Sequence, residues 1–263
     1  MKLNLSVINY MLPSHDDALI IKSIESYGKD FWGSVNSNLI FKKKISQSVK
    51  NILDNYNINY KEEIDGFWAS VIYEMVKDVK TDYLLIWEED IEILDINYFL
   101  KAFEVQLETQ CDFLPSLGMG QWNKIADAFS KITAVEENEE FRIMEWGTYN
   151  STMCEQESIK KQITSGMSTP YPISIDGIFK KSMFIYTLEH MTKSNYWKEA
   201  ILPGYVSNDW AKNPKLPHSY EVFWSHNKIS EEFNYTILIP KNKFSISIDP
   251  KDYASGRTEI FQT

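Results

Sequence analysis

Residues 83–87, Tyr-Leu-Leu-Ile-Trp, form an apolar run without alternation that leads straight into Glu88, Glu89 and Asp90. Five apolar residues in a row fit a strand covered on both faces, as in a parallel sheet with helices above and below. Three adjacent carboxylates repel one another, so the end of such a strand calls for water or a cation. A chain with this stretch needs a layered fold in which a buried strand opens onto a polar edge.

The preceding residues supply the other layers. Leu3, Leu5 and Val7 alternate as on a strand. Ser14 and Asp17 form an S-x-x-D capping box for a helix whose stripe is Leu19, Ile20 and Ile24, with Gly28 as its stop. Residues 33–43 read as a second strand and residues 57–61 as a short third. Between them Ile45, Val49, Ile52, Leu53 and Tyr56 keep helical spacing. Asp65 caps a third helix carrying Phe67, Val71, Met75 and Val79 at i, i+4. The order β-α-β-α-β-α-β predicts a doubly wound α/β domain, whose ligands bind beyond the carboxyl ends of the strands. Strand alternation over 88–90 predicts Glu88 and Asp90 on one side and Glu89 on the other.

After Asp95 a further helix buries Ile96, Phe99, Leu100, Phe103 and Leu107. Beyond residue 111, "CDFLP" and "FRIMEW" read as strands, residues 122–132 as a helix and "EENEE", 136–140, as an exposed acidic loop. No internal repeat and no Pro/Gly/Ser linker divides the chain, so residues 1–263 are expected to form one domain, its second half elaborating the core of the first.

Composition excludes several classes. A formal net charge of −10 argues against nonspecific nucleic-acid binding, which rests on clustered Lys and Arg. Cys111 and Cys154 form no disulfide framework and suit a reducing cytoplasm. The N-terminus reads as a strand rather than a signal peptide, and no apolar segment approaches the ~20 residues of a membrane span. Peripheral contact with a membrane stays open. The aromatic content, 8 Trp, 15 Tyr and 14 Phe, favours a packed chain with ring-lined clefts over disorder.

No G-x-x-x-x-G-K-[ST] is present, and "GMGQWN" at 118–123 lacks the third glycine of a dinucleotide fingerprint. Phosphates must therefore be held by a metal or by side chains. Glu88 and Asp90 are the candidates for a hard cation, Mg²⁺ or Mn²⁺, with positions left for diphosphate oxygens. Nothing resembles H-E-x-x-H, which disfavours a zinc hydrolase.

"LSVINYMLPSHDDALIIKSIESY" resembles the opening strand and helix of the GT-A glycosyltransferases, the nucleotide-diphospho-sugar transferase fold, in its family 2-like form. "DYLLIWEED" resembles their strand ending in Asp-X-Asp, here Glu88-Glu89-Asp90. "YPISIDGIFKKSMF", 171–184, is similar to their acceptor-side segment. The likeness is clearest over residues 1–110 and looser over 171–230. It implies a single Rossmann-like GT-A domain with a mostly parallel sheet covered by helices on both faces. Residues 1–110 would be the nucleotide-sugar-binding half and 111–263 the acceptor-side half.

The resemblance also implies roles. Asn9 and Tyr10 match the loop that packs on the nucleoside, and Glu88 and Asp90 match the metal-diphosphate ligands. His226 is placed to return to the metal, with His218 in reserve. Asp209 and Asp176 are the candidate acceptor bases, with Glu221 a third. Two departures stand out: Phe41-Lys42-Lys43 replaces the acidic residue that many members carry after the second strand, and glutamate replaces the first aspartate of the metal motif. The implied activity is transfer of a hexose-type sugar from a nucleotide-diphosphate donor to a saccharide or lipid-linked acceptor, as in polysaccharide biosynthesis. A sugar nucleotidyltransferase and a catalytically silent carbohydrate- or protein-binding module on the same fold are the alternatives.

Overall fold

The computed structural model describes residues 2–11, 16–66, 68–116, 134–145, 177–193 and 236–248. The elements are β1 (Leu5–Met11), α1 (Asp17–Ser34), β2 (Asn36–Phe41), α2 (Gln47–Asn55), β3 (Tyr60–Lys61), α3 (Trp68–Val76) and β4 (Tyr83–Ile86). They continue with β5 (Ile91–Ile93), α4 (Ile96–Thr109), β6 (Phe113–Pro115), β7 (Ala134–Glu137) and β8 (Phe141–Glu145). β9 (Gly177–Lys180), α5 (Lys181–Lys193), β10 (Thr236–Pro240) and β11 (Ser245–Ser247) complete the order.

Among the described residues one sheet of nine strands runs β3-β2-β1-β4-β9-β6-β10-β8-β7. β9 pairs antiparallel with both β4 and β6, and β8 with both β10 and β7. The other seven strands therefore run one way, and the expected mostly parallel α/β sheet is the one observed. Period-2 alternation divides its two faces. Leu5, Val7, Tyr83, Leu85 and Trp87 pack with α1, α2 and α4, whereas Ile8, Tyr10, Leu84 and Ile86 pack with α3 and α5. Helices thus cover both faces, which is why 83–87 shows no polar alternation.

The local signals mostly act as expected. Ser46 caps α2 by accepting from Val49 N at 3.2 Å, and Asp95 caps α4 by accepting from Tyr98 N at 3.0 Å. Of four expectations, three are corrected and one is met in part. The cap of α1 is Asp16, which accepts from Ala18 N at 2.9 Å, rather than a box built on Ser14, which lies outside the described residues. Gly28, with φ 76° and ψ 159°, does break the helix as expected, but a second helical run follows it to Ser34 and buries Phe31 and Trp32. "EENEE" is half strand: Glu136 and Glu137 belong to β7, and Asn138 turns the hairpin by accepting from the N–H groups of Glu140 and Phe141, both at 2.8 Å. The fourth concerns the acidic triplet. β4 stops at Ile86, residues 89–90 form a turn, and β5 begins at Ile91, so strand alternation does not extend over Glu88–Asp90. The expected helix over 122–132 lies outside the described residues.

Candidate functional site

The topology itself marks a place for a ligand. From β1 the chain winds outward through α1, β2, α2 and β3, then returns through α3 to β4 on the other side of β1. The order reverses between β1 and β4, and in open α/β sheets ligands occupy the crevice beyond the carboxyl ends at that point. Asn9–Met11 and Trp87–Asp90 lie on its two sides.

The backbone of the acidic turn is held by neighbours on three elements. Trp87 N donates to Ile8 O at 3.0 Å, which continues the β1–β4 ladder by one rung. The next rung comes from a side chain: Asn9 Nδ2 donates to Trp87 O, while Asn9 Oδ1 accepts from Tyr10 N at 2.7 Å. From α1, Ser23 Oγ donates to Glu88 O at 3.2 Å and accepts from Trp87 Nε1 at 3.1 Å. On the far side, Ile248 N donates to Asp90 O at 2.7 Å, and β11 pairs antiparallel with β5. Lys22 and Glu92 add an ion pair of 2.7 Å between α1 and β5. Glu88, Glu89 and Asp90 are each half-buried at the crevice.

Tyr10 is a clasp of a different kind. Its ring is buried on the α3 face, and its hydroxyl lies 3.1 Å from Ile64 O and 3.2 Å from Gly66 O, so a single proton serves both carbonyls. Burial first, and the negative charge of Asp65 second, push its hydroxyl above the ordinary tyrosine pKa. Lys42, the first residue after β2, puts Nζ 4.7 Å from the centre of the Tyr10 ring. The carboxyl ends of β1, β2 and β3 are thereby tied together beside the crevice.

Of the residues singled out from sequence, the structure brings Asn9, Tyr10, Glu88 and Asp90 to the same end of the sheet. The amide of Asn9 and the hydroxyl of Tyr10 bond to the protein, so both brace the crevice. Asp176, Asp209, Glu221, His218 and His226 lie outside the described residues. Sequence reasoning missed Ser23, Ser26 and the segment 244–248. Ser23 had left a trace, being a polar residue inside the stripe of Ile20, Ile24 and Tyr27.

Among the described residues no group of three or more His, Cys, Asp or Glu is placed to hold a metal ion. A Mg²⁺ or Mn²⁺ bound through one or two carboxylates, with substrate phosphates and water as the remaining ligands, does not need three. The all-oxygen donors Glu88 and Asp90 fit such an ion. No helix among the described residues is long and apolar enough to cross a membrane.

No family model matches the chain, and no curated protein does. Solved structures do. TarS from S. aureus is 14% identical, with a TM-score of 0.49, over 99% of this chain and 39% of its own. The mannosyltransferase PcManGT from Pyrobaculum calidifontis, solved with GDP-Man and Mn²⁺, is 9% identical, with a TM-score of 0.38, over 48% of this chain and 39% of its own. Glucosyl-3-phosphoglycerate synthase from Mycobacterium tuberculosis, solved with Mn²⁺, UDP and glucosyl-3-phosphoglycerate, is 10% identical, with a TM-score of 0.37, over 72% of this chain and 64% of its own. The chain spans about two fifths of the length of the first two of these structures.

Proposed function

We propose that the protein is a metal-assisted glycosyltransferase that moves a sugar from a nucleotide-diphosphate donor to a saccharide or lipid-linked acceptor. The observation that carries this reading is the acidic turn Glu88–Asp90 at the carboxyl end of β4, beside the reversal point between β1 and β4. A crevice without a glycine-rich phosphate loop, but with carboxylates at its mouth, suits a diphosphate brought in with a divalent cation.

In this reading Glu88 and Asp90 hold the cation, and Asn9 and Tyr10 keep the strand ends and the 62–66 loop in place around the donor. A bound divalent cation supplies charge neutralisation of the leaving diphosphate. The acceptor hydroxyl oxygen forms the new bond to the anomeric carbon as the bond from that carbon to the diphosphate oxygen breaks. The hydroxyl proton passes to a carboxylate, for which Asp209 and Asp176 are the candidates, and His226 is the candidate further ligand to the cation.

Calorimetric titration with UDP and GDP, with and without Mn²⁺, tests the reading. The expected result is cation-dependent binding that Asp90→Asn and Glu88→Gln weaken. With β4 ending at Ile86, Glu89→Gln is a third variant to measure rather than a neutral control. A preference for triphosphates would favour a nucleotidyltransferase, and silence from every nucleotide would favour a binding module.

A further inference from the structure

We infer that Ser23 is a positioning residue for the acidic turn, setting where the Glu88 carboxylate stands. The inference rests on the reading of that turn as the cation-diphosphate site. Ser23 sits on α1 with no solvent exposure, in the middle of an apolar stripe where alanine would pack as well. A buried hydroxyl is tolerated there because both of its functions are used: the proton goes to Glu88 O at 3.2 Å, and a lone pair takes the Trp87 indole N–H at 3.1 Å. Trp87 is itself fully buried. One side chain therefore fixes the ring before the acidic turn and the backbone of its first acid, just where β4 has ended and the ladder gives no further support.

The same helix offers an internal comparison one turn later. Ser26 Oγ donates to Ser23 O at 2.7 Å and accepts from Ile93 N at 2.9 Å. It too ties α1 to this segment, but at the end of β5, past the acids. Loss of either hydroxyl removes two hydrogen bonds, one donated and one accepted, whereas only loss of Ser23 frees the backbone that carries Glu88. Mutation of residues that orient a metal ligand without touching the metal commonly changes metal affinity about 10–100-fold.

The test measures Mn²⁺-dependent UDP and GDP affinity, metal-free affinity for the same nucleotides, and the thermal midpoint, for wild type, Ser23→Ala and Ser26→Ala. Ser23→Ala is expected to weaken the cation-dependent binding by about tenfold or more and leave metal-free binding unchanged. Ser26→Ala is expected to lower the midpoint and leave both affinities alone. If Ser23→Ala fails to fold, Ser23→Cys replaces it, since a thiol keeps the atom count but donates weakly. Wild-type cation affinity in the Ser23 variant, or equal losses in both serine variants, overturns the inference while the functional reading stands. Absence of any cation-dependent binding by the wild type overturns both.

Discussion

The side-chain amide of Asn9 donates to the main-chain carbonyl of Trp87, joining the end of β1 to the residue that precedes the acidic turn. Asn9 is 4% exposed, and its own Oδ1 takes the N–H of Tyr10. Asn9→Asp would set a carboxylate oxygen against the Trp87 carbonyl oxygen, so an attractive contact becomes a repulsive one. The expected outcome is a loss of roughly 1–3 kcal/mol in urea unfolding at neutral pH, with partial recovery when acid protonates the new carboxyl. Asn9→Leu, which adds no charge but orphans both the Trp87 carbonyl and the Tyr10 N–H, should lose stability without that recovery in acid.

Tyr10→Phe keeps the buried ring and removes the proton shared between Ile64 O and Gly66 O. A cost of about 1 kcal/mol is expected in denaturant unfolding. Hydrogen exchange should rise at residues 62–66 before it rises in β1, because the hydroxyl's task is to hold that loop.

Gly177 opens β9 with φ 155°, and a Cβ there would stand 2.6 Å from Leu114 O and 2.5 Å from Phe113 Cε2. A main-chain oxygen cannot swing aside as a side chain can. Gly177→Ala is therefore expected to destabilise by about 3 kcal/mol or more, or to part β9 from β6. Thermal unfolding measures the first outcome, and exchange protection across Phe113–Pro115 measures the second.

Tyr83 is 1% exposed between β4 and α4, and burial, with Asp112 as the next cause, pushes its pKa up to about 12. The folded state thus holds the phenolic proton more tightly than the unfolded chain, whose tyrosine titrates near 10. This contribution to stability is complete below about pH 10 and disappears as pH rises through about 12. Stability of the wild type should fall across that window, and Tyr83→Phe should flatten the fall in stability curves taken at several alkaline pH values.

The first half of the fold was legible because its signals are local. Val49 and Leu53 on α2, the Ser46 and Asp95 caps and the alternation of β1 each need only a few neighbouring residues. The strand end at Ile86 was less so: Trp87 is as apolar as the residues before it, yet its carbonyl and its indole bond to the side chains of Asn9 and Ser23. Contacts between distant stretches left fainter traces. The "IEI" of β5 means little until the "SIS" of β11, some 150 residues later, supplies its partner. Of the candidate site, the acids were legible from their position after a strand and Asn9 from its place near the end of β1. The residue that steadies them was not, because a serine in a helix is ordinary until its hydroxyl is seen to face Trp87.

β9 lies between β4 and β6, although its residues follow both by a wide margin. A ribosome makes the chain from its first residue onward, so β1, β2, β3 and β4 emerge as consecutive crossovers well before residue 177 exists. Through that interval Tyr83–Ile86 has β1 on one side and no strand on the other, an open apolar edge of the kind that recruits foreign strands. The half of the sheet that bears the acidic turn is thus the first to take shape, yet its inner edge stays open until β9 is made. Until residue 180 has cleared the exit, that edge of a nascent chain has no native strand to pair with.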